Sequence, residues 1–281
     1  MNKKNSNLWR PTIIKQIERI NIESSTNPVL VVTDEDEGYF KVLGNREGPH
    51  VLACEYVGTS LAKLIGLATF EYCIFHFSGQ PEITFPNGSN AQIGNGFMTK
   101  KESGEIWDGS EKMLAKIINK DDITKLVCLD TWVRNKDRYY LQTNEYINCN
   151  LDNVFLSNES KNGLILKAFD FTHAFVHGRD ITKNIIQDVK DNTIYGLFPE
   201  FNKFLKEDVA RKTCEKLGKI NKNCIEEIMT NIPREWEIES YVREVWIDFI
   251  LQRAKYLSEN FLLLIGLEKK TKQLKFDFNE E

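Results

Sequence analysis

The stretch that decides the fold runs from Leu129 to Phe175. It opens Leu129-Asp130-Thr131-Trp132-Val133-Arg134-Asn135-Lys136-Asp137-Arg138. It passes through Leu151-Asp152-Asn153-Val154-Phe155-Leu156 and closes Lys167-Ala168-Phe169-Asp170-Phe171-Thr172-His173-Ala174-Phe175. Asp137, Asn153 and Asp170 each adjoin an apolar run short enough to be a strand or a loop anchor, so a rigid frame would hold the polar heads. Phosphoryl transfer needs such a set. One carboxylate orients or deprotonates the nucleophile, and an amide oxygen and a second carboxylate hold magnesium against the phosphates. Singly, the pieces say less. Asp137-Arg138 alone reads as a surface ion pair, and Asn153 as a turn residue.

Two asparagines compete for the metal position. Asn144 is nearer to Asp137, in a polar-aromatic segment (Tyr139 onward) with no strand behind it. Asn153 directly precedes Val154-Phe155-Leu156. The seven residues Ser157–Gly163 separate that run from Leu164–Phe169, a hairpin-length loop. A hairpin places Asn153 and Asp170 together at its open end, so Asn153 is preferred and Tyr139–Asp152 reads as an insertion in the catalytic loop.

Working outward, residues 8–22 carry Leu8, Ile13, Ile14, Ile17 and Ile20 at helical spacing, with Pro11 near the start; an amphipathic helix is expected. Ser24-Ser25-Thr26-Asn27-Pro28 is a turn cluster. Val29–Val32 and Tyr39–Leu43 flank an acidic turn and read as a hairpin. Lys41 alternates with Phe40 and Val42, so it points to the opposite face. It is either a snorkelling edge lysine or a phosphate-binding one. A loop, Gly44–Pro49, leads to a helix from His50 to Ile65 with Gly66 as its cap. Glu55 lies on the second turn, where it would pair with Lys41. Leu67–Phe77 and Gly96–Lys100 read as strands around a loop-rich segment, and 110–134 as mainly helical. Beyond Phe175 the pattern is helical scaffold, with a long helix starting at Asn231-Ile232-Pro233.

The ordered set resembles the HipA-like kinases, in which Asn-x-Asp-Arg, an Asn before a short apolar strand, and Asp-Phe carry the catalytic and metal roles. Glu55-Tyr56-Val57-Gly58-Thr59-Ser60-Leu61-Ala62 through Gly66-Leu67 resembles the same family. The resemblance covers roughly residues 20–260. It implies a two-lobed, α+β protein-kinase-like fold with a small β-rich N-lobe (1–104), a mainly helical C-lobe (105–267) and a charged tail (268–281). It implies ATP and Mg²⁺, and a hydroxyl acceptor on a protein Ser/Thr or a small molecule. Asp137, Lys41 and Glu55 would be catalytic, and Asn153 and Asp170 would hold the metal. Ser24, Ser25, Thr26 and Asn27 would cover the phosphates, and Phe97, Met98 and Thr99 would lead to the adenine. Two features depart from protein kinases: no Gly-x-Gly-x-x-Gly loop is present, and the fifth residue after Asp137 is Gln142 rather than Asn. A toxin role and an antitoxin partner do not carry over. A pseudokinase and a lipid or small-molecule kinase are the alternatives; nothing basic enough for a lipid groove is visible.

Composition sets the outer bounds. The chain of 281 residues is 41% hydrophobic and 28% charged, ordinary for a globular protein. A net charge of −4 argues against a dedicated nucleic-acid binder. No apolar run approaches the ~18 residues of a membrane span, and Trp9-Arg10-Pro11 interrupts any signal-peptide pattern. A cytoplasmic protein is expected. Six cysteines without Cys-x-x-Cys spacing suit reduced thiols, and four scattered histidines make a zinc site unexpected.

Overall fold

Lys41 sits on a central strand because its neighbours must be buried. In the computed structural model, which describes residues 9–18, 24–141, 147–176 and 178–268, Phe40 and Val42 are fully buried in an outer cluster with Val31, Phe77 and Met98. Lys41 projects from the other face. The strands are β1 (Ile14–Glu18), β2 (Val29–Thr33), β3 (Glu37–Lys41), β4 (Tyr72–Phe77) and β5 (Gly94–Lys100). They form one antiparallel sheet in the order β1-β2-β3-β5-β4.

The helix expected over residues 8–22 does not form in its described part, where residues 9–13 are irregular and Ile14–Glu18 is a strand. A β-bulge between Ile14 and Gln16 shifts the register, so that Ile14 faces Thr33 and Ile17 faces Val31 on one side of the sheet. The bulge puts residues three apart on one face and so imitates helical spacing. β-Branched isoleucines then favour the pleated surface. Ile13 is left exposed. Ile20 lies outside the described residues.

Helix α1 (His50–Ile65) crosses the inner face of this sheet. It ends at Gly66 in the left-handed region (φ 75°), whose N–H bonds back to Ala62 and Lys63. The sequence shows an apolar stripe, but the helix is buried nearly all round, Glu55, Thr59 and Ser60 included. It is wedged between the sheet and the helical half, where it meets α3 (Asp121–Val133), α4 (Glu207–Gly218) and α5 (Lys222–Thr230).

From β5 the chain crosses at Lys101–Ser103 into β6 (Gly104–Ile106). The short helix α2 (Glu111–Ala115), capped by Ser110, precedes α3. Tyr139–Leu141 (β7) and Ile147–Cys149 (β8) pair with each other, so a strand does stand behind the polar-aromatic segment, contrary to expectation. The expected hairpin is present: β9 (Phe155–Ser157) pairs antiparallel with β10 (Ile165–Lys167), and β6 completes a three-stranded sheet.

The last helix, α6 (Ser240–Leu264), starts nine residues later than Asn231. Trp236 is buried and donates its indole N–H to the Asn95 carbonyl, and Glu237 turns left-handed (φ 58°), so the chain cannot run helically through this point. Within α6, buried Arg253 donates to the carbonyls of Thr131, Trp132, Asp188, Val189 and Asp191 at 2.7–3.1 Å. One guanidinium thus caps the end of α3 and arches the 188–191 segment over it. No helix among the described residues is long and apolar enough to cross a membrane.

Candidate active site

The polar side chains converge where α1, the sheet and the segment after β10 meet. Glu55 Oε1 accepts from the Lys41 ammonium and from the Thr172 hydroxyl (2.8 Å), while Oε2 accepts from the Phe171 N–H (3.1 Å). Lys41 Nζ also lies 3.3 Å from Asp170 Oδ1 and 3.1 Å from Thr172 Oγ1. The Lys–Glu pair expected from sequence therefore forms, and it is tied directly to the Asp170 segment. Asp170 is left-handed (φ 56°), a conformation unusual for a residue with a side chain.

The electrostatics follow from one ammonium among two carboxylates. Burial would lower the Lys41 pKa, but the Asp170 and Glu55 charges outweigh it and hold the amine charged. Burial pushes the Glu55 carboxyl up, with Lys41 opposing. Burial also works upward on Asp170, yet the Lys41 charge and the Thr172 hydroxyl hold it below the usual carboxylate range. Asp170 is thus the ionised carboxylate of the pair; its side chain is 27% exposed, so it can meet a ligand.

The second cluster surrounds Asp137. Its Oδ2 accepts from Asn153 Nδ2 at 2.8 Å and lies 3.5 Å from Asn150 Nδ2. With the amide nitrogen aimed at Asp137, the amide oxygen of Asn153 is turned away and left to accept a cation. Asn144 lies outside the described residues, as does Gln142. Asp137-Arg138 is no surface pair. Arg138 is fully buried and binds Asp130 instead, Nε to Oδ2 at 2.6 Å, and donates through Nη2 to the Phe169 carbonyl at 2.7 Å. Asn135, also buried, reaches Asp130 Oδ1 (3.2 Å) and the Asp170 carbonyl (3.3 Å) through Nδ2, and accepts the Asp137 N–H at 3.3 Å. Asp130 therefore fixes the loop carrying Asp137 and, through Asn135 and Arg138, the backbone on both sides of Phe169-Asp170.

Sequence reasoning missed Asp130 and Thr172. Asp130 lies in the last turn of an apolar helix, five residues before Asn135 and eight before Arg138, and an acid at that depth needs a buried partner. Thr172 carried no signal beyond its place after Asp170-Phe171.

The remaining expected residues are spread around this centre. Ser24–Asn27 form a turn between β1 and β2, with Asn27 left-handed (φ 45°), its N–H donating to Ser24 Oγ at 3.1 Å and Thr26 buried. The pairing Val29↔Phe40 puts this turn at the Lys41 end of the sheet. Phe97, Met98 and Thr99 lie in β5, which is paired on both edges, by β3 and β4. Their backbone groups are taken by the sheet, and Met98 is buried on the outer face. Past β5 the Lys101 N–H still bonds the Glu37 carbonyl at 2.9 Å, and the Ser103 N–H bonds Glu159 Oε1 at 2.9 Å.

The antiparallel sheet, the helical half and the cleft between them make this a two-lobed kinase-like fold. Its likeness to a solved structure agrees: the crystal structure of a Helicobacter pylori proinflammatory kinase, CtkA, matches with a TM-score of 0.54 at 13% identity, covering 91% of this chain and 97% of that one. At that identity the likeness speaks for the fold alone. The family model for HipA-like kinases matches residues 13–261, and the chain belongs to that family. No curated protein matches.

Proposed function

We propose that the protein is an ATP- and Mg²⁺-dependent kinase that transfers the γ-phosphoryl group to a hydroxyl, with a protein Ser/Thr as acceptor. The observation that carries this is the meeting of Lys41, Glu55 and Asp170 at one point, with Asp137 and Asn153 joined beside it. Lys41, aimed by Glu55, would hold the α- and β-phosphates; Asp137 would orient the attacking hydroxyl and take its proton.

The donor chemistry fits magnesium. An ionised Asp170 carboxylate and the free amide oxygen of Asn153 are hard oxygen ligands, and Mg²⁺ completes its shell with phosphate oxygens and water. When bound, the ion would neutralise charge on the phosphates. Ser24–Asn27 would cover the phosphates through backbone N–H groups and hydroxyls. Phe97, Met98 and Thr99 of β5 would lead into the crossover where the adenine is held.

The test is ATP turnover by purified protein, with mass spectrometry for self-labelling. Asp137→Asn is expected to keep nucleotide binding and abolish transfer. Asn153→Ala should raise the Mg²⁺ requirement, and Asn144→Ala should be mild. Wild-type protein that binds no ATP with Mg²⁺ in calorimetry and labels nothing would leave a pseudokinase as the reading.

A further inference from the structure

We infer that a trench beside the catalytic loop is the acceptor-docking site, and that it takes an extended peptide bearing a carboxylate side chain close to the phosphorylated hydroxyl. The inference deepens the kinase reading above and names its substrate class. The trench starts at Lys136, the residue before Asp137. Its first part is a cavity of about 520 Å³ walled by Arg134, Lys136, Tyr140, Lys190, Asp191 and Tyr195, among others.

This cavity is held rigidly. Arg134 is left-handed (φ 55°), and its guanidinium is fixed by Asp188 at 2.8 Å and Asp191 at 3.0 Å. Asp191 further accepts from the Tyr195 hydroxyl at 2.8 Å and the Thr193 N–H at 2.9 Å. Arg253 clamps the backbone of the same arch from below. Both acids in the wall are thus engaged by Arg134.

The lysines are in a different position. Among the described residues no carboxylate lies within ion-pair distance of the Lys136 or Lys190 ammonium. Lys136 is half-buried; burial first, then the charge of Arg134, pushes its pKa down, with the charges of Asp188 and Asp191 opposing. The wall thus sets three cations, Arg134, Lys136 and Lys190, against two acids that Arg134 already holds, and a carboxylate entering the cavity would balance the excess positive charge.

The second part of the trench sets the far end of the ligand. A neighbouring cavity of about 400 Å³ shares Leu141 and Thr193 with the first and is walled by Ile194 and Leu197. Leu141 is 58% exposed there. The trench therefore runs from a cationic part at Lys136 to a more apolar part across Leu141 and Thr193. A peptide with Glu or Asp near its Ser/Thr and an aliphatic residue beyond matches both ends.

The experiment uses the full chain and three fluorescent Ser peptides that differ only in flanking residues: Glu, Gln or Lys near the serine, each with a distal Leu. Fluorescence anisotropy should show the Glu peptide binding at least tenfold more tightly than the Gln peptide, and the Lys peptide least. Lys190→Glu and Lys136→Gln should each remove most of that preference. Equal binding of the Glu and Gln peptides, or a preference that survives in both variants, would overturn the proposal. ATP turnover by the wild type, measured separately, reports on the kinase reading, so each can fail without the other.

Discussion

Removing the Asp130 carboxylate tests whether the catalytic loop rests on it. Asp130 and Arg138 are both fully buried, 2.6 Å apart. In Asp130→Ala the guanidinium keeps only the Phe169 carbonyl at 2.7 Å as an acceptor among the described residues, since Nη1 already lacks one and the side chain is fully buried. Breaking a buried pair from one side costs roughly 3–5 kcal/mol. For a chain of this size each kcal/mol moves the melting temperature by about 2–4 °C, so a drop on the order of 6–20 °C is expected. Arg138→Met and the double variant complete a cycle. In the double variant the stranded charge is gone, so its cost should fall below the sum of the two singles by about 0.5–3 kcal/mol. Denaturant melts followed by tryptophan fluorescence give all three values. A cost under about 1 kcal/mol for Asp130→Ala, or costs that simply add, would refute the reasoning.

Two further perturbations bear on the same frame. A Cβ at Gly58 would lie 2.4 Å from Phe171 Cγ, so Gly58→Ala must displace Phe171 and with it the N–H held by Glu55. Overpacking costs about 1–3 kcal/mol and helix propensity returns up to about 1; a modest loss of stability with a large loss of ATP turnover is expected, and full turnover would contradict it. Asp191, held near a pKa of about 2 against its burial by Thr193, Arg134 and Tyr195, stabilises the fold above the unfolded carboxylate value of 3.8 and loses that contribution as pH falls toward 2. Asp191→Asn should therefore cost roughly 2 kcal/mol at pH 7 and about half that at pH 3; urea midpoints that differ equally at both pH values would count against it.

What was legible in the sequence was what local pattern governs. Alternation around Lys41, the span of α1 with its Gly66 cap, and the hairpin carrying Asn153 and Asp170 all follow from periodicity and turn chemistry. The residues misread are those where a distant partner decides. The Ile14–Ile17 spacing matches a helix until the β2 pairing and its bulge are known. Arg138 looks like a surface residue until Asp130 and the Phe169 carbonyl close over it. Trp236 stops a helix because Asn95, far away in sequence, offers its carbonyl. Thr172 gains its place only once α1 brings Glu55 across to it.

The Arg253 clamp has a consequence for the order in which the protein is made. The carbonyls it binds at Thr131 and Trp132 lie just ahead of the loop that bears Asp137, about 120 residues earlier in the chain. A ribosome releases the N-terminal sheet, α1 and the whole catalytic segment before it synthesises that arginine. Until α6 emerges and docks, the Thr131 and Trp132 carbonyls lack this donor and the 188–191 arch has no keystone. The last support beneath the catalytic loop therefore arrives long after the loop itself is translated, and a nascent chain carrying every proposed phosphate and metal contact stays without this clamp until translation has passed α6.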